Sequence, residues 1–176
     1  MPKHPNHPLV SVIIPSYNRA WALKKAVDSV LDQDYKAFEL IVVDDGSTDE
    51  TQSLLKSYPA GAIKILHQPH SGVSAARNRG VAAAAGAFIA FLDSDDYWYP
   101  KKLSAQVAFF EKNPDALICQ TEEIWIRNGR RVNPKTKHKK PSGMIFTPSL
   151  ELCLISPSAV MMRKSLLAKV DRKSVV

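Results

Sequence analysis

Four short apolar runs, each followed by a stretch with helical periodicity or a helix signal, constrain this chain more than anything else in it. Residues 9 to 14 read LVSVII, 38 to 43 FELIVV, 62 to 67 AIKILH and 87 to 92 AFIAFL. Runs of this length, rich in β-branched and aromatic side chains, suit strands buried on both faces, as in a parallel sheet. Pro15 is expected to stop the first strand, since it lacks a backbone donor. Ala22, Ala26, Val27, Val30 and Leu31 then recur at helical spacing and predict a helix over 20–33. Ser47, with Glu50 three residues on, makes a capping-box pattern for the next helix. Residues 73 to 85 are alanine-rich and helical, opening at Ser71 or Gly72. Pro100 suits the first turn of a helix that runs to about 112. This alternation predicts an α/β fold with a doubly wound, mostly parallel sheet.

The pattern changes after residue 113. ALICQTEEIWIRNGRRV reads as strand, Asn128-Gly129 turn, strand, which is a hairpin signal. Residues 133 to 142 read as an exposed basic loop, 155 to 163 as a further strand, and Lys164 begins a short helix. Glu122 and Glu123 fall on a predicted strand. No internal repeat or interdomain linker interrupts the chain. The expected organisation is an α/β half over 9–112 and a second region over 113–170 of the same domain. The last six residues, Asp171 to Val176, stand apart. They are what GATCGGAAGAGCGTCGTG encodes, a string that resembles the start of a sequencing adapter. They are expected to be a non-native tail, excluded from fold reasoning.

Composition removes several classes. The 176 residues, 45% of them hydrophobic, can bury one ordinary core. No apolar run reaches the roughly 18 residues a membrane span needs. The polar, proline-rich opening MPKHPNHP does not read as a signal peptide. Cys119 and Cys153 lack metal-ligand spacing and suit buried thiols in a reducing compartment. A cytoplasmic location is therefore expected. The net charge of +7 is concentrated in Arg127, Arg130, Arg131, Lys135, Lys137, Lys139 and Lys140. That stretch is either a solvated basic loop or a patch for phosphates, anionic lipid or nucleic acid. No zinc-finger spacing or aromatic-interleaved basic strand supports nucleic acid as a partner.

In open α/β sheets ligands bind beyond the carboxyl ends of the strands, and every polar motif of this chain falls at such an end. FLDSDDYWYP places Asp93, Asp95 and Asp96 after the fourth run. Carboxylates this crowded repel one another, and a divalent cation resolves the repulsion. Hard oxygen donors suit magnesium or manganese, which commonly bridge to phosphate oxygens. A turn and helix-cap cluster is the plainer alternative. Asp44, Asp45, Gly46 and Ser47 follow the second run, where a turn with an N-cap is the alternative. Pro15, Tyr17 and Asn18 follow the first. SGVSAARNRG offers helix N-terminal amides, Arg77 and Asn78. His70, beside it, reads as an ordinary solvated loop histidine. Trp98 and Tyr99 suit either a pocket wall or core packing, and Met161 and Met162 suit core.

In this order, VSVIIPSYNR, ELIVVDDGSTDE, SGVSAARNRG and FLDSDDYWYP resemble the nucleotide-sugar half of a family-2 glycosyltransferase with the GT-A fold. The likeness is close over 9–112 and looser over 113–170. It implies an inverting transfer from a nucleotide-diphosphate sugar, UDP-linked, to a saccharide or lipid-linked acceptor. It implies a manganese or magnesium cofactor and admits peripheral contact with the inner face of a membrane. Asp93-Ser94-Asp95 matches the family's Asp-x-Asp element, and the family's adjacent aspartates match Asp95 and Asp96, the favoured pair for the ion. Pro15, Tyr17, Asn18, Asp45, Gly46, Ser47, Arg77 and Asn78 become nucleotide-binding, with Asp45 accepting the uracil N–H and Tyr17 stacking on the base. Arg77 either reaches the nucleotide or anchors its helix with Asn78.

Inverting transfer also needs a general base. The family's base lies in an acidic pair beyond the strand matched by SPSAVMMR. Only Asp171 follows Arg163, so no base is assigned, and it is expected beyond Val170. A nucleotide-binding or interaction module without transferase activity is the alternative. A dinucleotide-dependent oxidoreductase is disfavoured because no G-x-G-x-x-G follows any strand. A sugar-1-phosphate nucleotidyltransferase is disfavoured by the lack of a glycine-rich loop after the first strand.

Overall fold

A computed structural model describes residues 7–132, 140–143, 145, 147, 149 and 154–169. Lys135, Lys137 and Lys139 of the expected basic loop, Cys153, Val170 and the tail 171–176 lie outside the described residues. The elements are β1 (Val10–Ser16), α1 (Ala20–Leu31), β2 (Phe38–Asp44), α2 (Thr51–Lys56), β3 (Lys64–His67), α3 (Val73–Ala83), β4 (Phe88–Phe91) and α4 (Lys102–Lys112). Then come β5 (Ile118–Gln120), β6 (Trp125–Arg127), β7 (Arg130–Val132), a 3-10 turn (Pro157–Ala159), β8 (Val160–Arg163) and α5 (Lys164–Leu167). Six strands form one sheet in the order β3-β2-β1-β4-β8-β5. The first four are parallel, and β8 runs antiparallel to both β4 and β5.

The period-2 alternation of strand side chains builds both faces of this sheet. Val10, Val12 and Ile14 of β1, Leu40 and Val42 of β2, and Phe88 and Ala90 of β4 face one core. Leu23, Val27 and Val30 of α1, Leu55 of α2, and Leu103, Val107 and Phe110 of α4 close it. Ile13, Ile41, Val43, Ile89 and Phe91 face the other core, closed by Ala76 and Val81 of α3. Helices thus cover both faces, and the sheet is doubly wound as expected. Met161 and Met162 both pack into core.

Pro15 does not stop β1, which continues to Ser16 and pairs Pro15 with Val43. Odd-numbered residues of β1 direct their backbone groups towards β4, as when Leu92 N donates to Ile13 O at 3.0 Å. The β4 register ends at Ile13↔Phe91, so at Pro15 there is no neighbour to miss the absent N–H. Three further expectations are corrected. Ser47 does not cap α2: the helix starts after Glu50, and Asp49 Oδ1 accepts from the Thr51 amide instead. Pro100 precedes rather than opens α4. The strand expected over 155–163 is confined to β8, because Pro157 turns the chain into the 3-10 segment first.

The Asn128-Gly129 hairpin forms, joining β6 to β7, with φ of 51° and 71° at its two turn residues. Positive φ at both positions is the type I′ geometry that suits the twist of paired strands. Upstream, β5 joins the main sheet, and Glu122 and Glu123 lie between strands rather than on one.

Candidate functional site

β1 lies at the centre of the parallel strands. The chain winds outward through β2 and β3, then returns to the opposite side of β1 with β4. Such a reversal opens a crevice at the carboxyl ends of the strands. A cavity of about 310 Å³ occupies this place, lined in part by Pro15, Tyr17, Asp45, Arg77, Asp93 and Asp95. Each parallel strand or its following loop contributes. Asn18, Gly46, Ser47 and Asn78 are not among its walls. Three of these four organise it from behind. Asn18, at φ 50°, accepts from the Thr48 and Asp49 amides through Oδ1, and its own amide donates to Ser47 Oγ at 3.0 Å. Ser47 N donates to Asp44 Oδ1. These bonds lock the β1 and β2 loops together. Gly46, at φ 79°, leaves room for the following loop: a Cβ there would sit 2.8 Å from His70 N.

Asp45 is the best-held carboxylate of the crevice. It is 2% exposed. Gln68 Nε2 and Ser71 N donate to Oδ1, while Gly72 N, at 2.8 Å, and His70 Nδ1, at 2.9 Å, approach Oδ2. Burial works against its ionisation. The donors from Gln68, Ser71 and Gly72, and the His70 charge, outweigh burial and hold Asp45 below its ordinary value. Its acceptor positions are thus taken by this chain's own donors. No local pattern signals this, because the donors lie 23 to 27 residues away.

His70 is not merely solvated. Its ring stacks on Tyr17 with centroids 3.8 Å apart and planes 21° from parallel. Together with Ser16, Arg19, Val73, Ala76 and Ser94 it completes the cavity wall, and none of these six was marked as a site residue from sequence. Val73 and Ala76 belong to the first turn of α3, whose backbone donors make a favourable setting for an anion. Arg77, one turn in, binds Asp93 Oδ1 at 2.6 Å. Of the two roles open to Arg77, this contact ties it to the aspartate loop.

The three aspartates are brought together, and each is held differently. Asp93 receives Arg77, and its amide donates to Ser158 Oγ at 3.1 Å. Asp96 Oδ2 accepts from the Ser158 hydroxyl at 2.6 Å. Asp95 is exposed and has no hydrogen-bond partner among the described residues. Removal from water, then the charges of Asp93, Asp95 and Glu123, push the Asp96 carboxyl above its ordinary value, against the pull of Ser158. Ser158, on the 3-10 turn, was invisible as a site residue because it lies 62 residues from Asp96 in sequence.

Among the described residues, no group of three or more His, Cys, Asp or Glu side chains is arranged to hold a metal unaided. The donor chemistry nevertheless fits a magnesium- or manganese-type ion. Such ions are commonly held by one or two carboxylates and completed by a substrate phosphate. Asp95 is open, and Asp96 is crowded by like charge that a cation would relieve.

Beyond Asp95 a second, larger cavity opens, about 1160 Å³, with Asp95 on the wall of both. Asp96, Trp98, Tyr99, Glu122, Glu123, Trp125 and Ser158 are among its lining. Trp98 serves both roles left open for it. It is buried in the core, donates Nε1–H to Ser158 O at 2.7 Å, and shows an edge to this cavity. Glu123 pairs with Lys140 at 3.2 Å. Burial opposes its charge, but bonds from Ser156 and Trp125 together with Lys140 hold it below its ordinary value.

Lys102, on the same wall, is 8% exposed, with its ammonium 3.8 Å above the Trp98 ring and 2.6 Å from Gln106 Oε1. Burial pulls it from 10.5 down to about 7. Between those values the unfolded chain keeps a proton that the fold releases, so stability rises with pH through this window. Below about 7 the full cost of burying the ammonium is present. Lys102→Met is therefore expected to raise the urea midpoint most at pH 7 and below, and to flatten the rise from pH 7 towards pH 10.

The model of glycosyl transferase family 2 matches residues 11–170. An uncharacterized glycosyltransferase of Rickettsia felis is 38% identical over 160 residues, covering 86% of this chain and 25% of its own length. The Escherichia coli UDP-Glc:alpha-D-GlcNAc-diphosphoundecaprenol beta-1,3-glucosyltransferase WfgD is 36% identical over 160 residues, covering 90% of this chain and 62% of its own. The crystal structure of S. aureus TarS 1-349 in complex with UDP-GlcNAc superposes with a TM-score of 0.76 at 28% identity, over 91% of this chain and 46% of that one. The chain thus spans a quarter to under two thirds of these relatives. With its mixed six-stranded sheet, its crevice at the strand ends and the match across nearly the whole sequence, the chain belongs to glycosyl transferase family 2.

Proposed function

We propose that the chain is the donor-binding part of an inverting, metal-assisted glycosyltransferase that uses a UDP-linked sugar and a saccharide or lipid-linked acceptor. The observation that carries this reading is the pair of cavities meeting at Asp95. The smaller one suits a nucleoside diphosphate, with Tyr17 offering an aromatic face and Asp45 a carboxylate for the base. The first turn of α3 and Arg77 suit the diphosphate. Asp95 and Asp96 would hold a magnesium or manganese ion, which neutralises charge developing on the leaving diphosphate. Asp93, gripped by Arg77, holds the loop that presents them. The sugar would then lie at the junction, facing an acceptor in the larger cavity. WfgD, by its name, transfers glucose from UDP-Glc to a diphosphoundecaprenol-linked sugar, and TarS binds UDP-GlcNAc. Both support this assignment of donor and acceptor class.

Deprotonation of the acceptor is the step for which no base is assigned among the described residues. Besides the aspartates, Glu122 and Glu123 are the carboxylates lining the larger cavity, and Lys140 already engages Glu123. This favours nucleotide binding without transfer as the second reading for these residues alone. A peripheral membrane location at the cytoplasmic face is in keeping with the exposed Ile124 and Ile126 beside Arg127, Arg130 and Arg131. Among the described residues, no helix is long and apolar enough to cross a membrane.

Calorimetry with UDP, with and without manganese, tests the reading. Binding that strengthens on adding manganese is expected. Absence of UDP binding under both conditions rules the donor assignment out. Binding indifferent to manganese removes the metal from it.

A further inference from the structure

We propose that His70 is an internal stand-in for the nucleobase: it fills the base seat of the ligand-free protein and must leave before a nucleotide can enter. The inference rests on the donor assignment above.

Two features of the crevice suit a base, the face of Tyr17 and the buried carboxylate of Asp45. His70 engages both at once. Its ring lies on Tyr17 at 3.8 Å and 21°, leaving no room for a second ring between them. Its Nδ1 is 2.9 Å from Asp45 Oδ2 and 3.2 Å from Asp45 O. Both oxygens are acceptors only, so Nδ1 carries the hydrogen. A flat ring stacked on tyrosine while giving an N–H to a carboxylate reproduces the two contacts an N–H-bearing base would make.

The surroundings allow this ring to leave. The backbone of the loop is fixed. Gln68 N donates to Asp44 O at 3.0 Å, Ser71 Oγ donates to Pro69 O at 2.7 Å, and the chain lies close over Gly46. The His70 side chain itself is 54% exposed. Rotation about its own torsions would carry it into solvent without moving the loop. Asp45 would keep Gln68, Ser71 and Gly72 as donors. An entering base would replace the contacts His70 gives up, so nucleotide affinity is reduced by the closed population.

The test combines UDP titration in manganese with NMR of the histidine ring. His70→Ala is expected to bind UDP about three- to tenfold tighter than the wild type, the scale of one intramolecular contact removed. His70→Phe, which can stack but not donate to Asp45, is expected to fall between them. In the wild type, the His70 ring protons should be shifted upfield by Tyr17 and should move downfield as UDP saturates the site. Equal or weaker UDP binding by His70→Ala, or ring signals unmoved by UDP, overturns the proposal and leaves the donor site standing. No UDP binding by any of the three proteins overturns both.

Discussion

Asp96→Asn is expected to erase the manganese-dependent part of UDP binding while leaving the metal-free protein as stable as before, or more so. A carboxylate that shares an ion with a diphosphate contributes through charge, and the amide keeps the shape without the charge. Apparent affinity in manganese should therefore fall about ten- to a hundredfold, towards the metal-free value. Stability distinguishes this from a structural role. Asp96 lies at the surface, but partial desolvation of its carboxyl and the charges of Asp93, Asp95 and Glu123 hold it above its ordinary value. For an acid shifted upward, folding disfavours the charged form, so its ionisation weakens the fold as pH rises past the unfolded value. Removing that charge should help the ligand-free protein at neutral pH, and the asparagine oxygen can still accept from Ser158. Calorimetry with and without manganese, beside a thermal melt in chelator, reads both effects. A lower melting point with unchanged manganese dependence would assign Asp96 to the fold alone.

Asp45→Ala should have the largest effect on stability. The carboxylate gathers the loop between β3 and α3, and four groups give it hydrogen bonds or an ion pair. Truncation leaves the Ser71 and Gly72 amides and the Gln68 side chain facing a small void. The expected loss is on the order of 3 kcal/mol, since bonds to charged groups are the stronger kind and two of the orphaned donors are backbone. The pH dependence has a definite sign. A carboxyl held below its ordinary value adds stability above the unfolded pKa of about 3.9 and loses it as pH falls further. The gap between wild type and variant, read from urea midpoints, should be widest at neutral pH and shrink below about pH 4. A gap of constant size would mean that Asp45 contributes by shape and not by charge.

The parallel core was legible because its signals are local. The alternation within LVSVII and FELIVV places Val12 and Ile13 on opposite faces, where the structure has them. The Asn128-Gly129 turn was equally local. What escaped depends on distant partners. Pro15 continues a strand because β4 happens to end two residues earlier. Ser47 bonds Asn18 rather than capping α2, a choice set by the neighbouring loop and not by the Ser-x-x-Glu pattern. Tyr17, Asp45 and the aspartates stood out by position, since each follows the carboxyl end of a strand. Ser158 and His70 did not, since a serine in a turn and a histidine in a loop carry no signal until the chain folds them against Asp96 and Tyr17.

The place of β8 has a consequence during synthesis. β4 pairs on one side with β1, which is made before it, and on the other with β8, which begins at Val160, long after β4 ends at Phe91. Until residue 163 has left the ribosome, β4 presents a bare, wholly apolar edge of Phe88, Ile89, Ala90 and Phe91. An unpaired edge of that kind is a template for association with other chains. The aspartate loop waits as well, for Ser158 arrives on the same late segment. A nascent chain that stops short of β8 is therefore both sticky and unfinished at its aspartate loop, and it is a natural client for a chaperone.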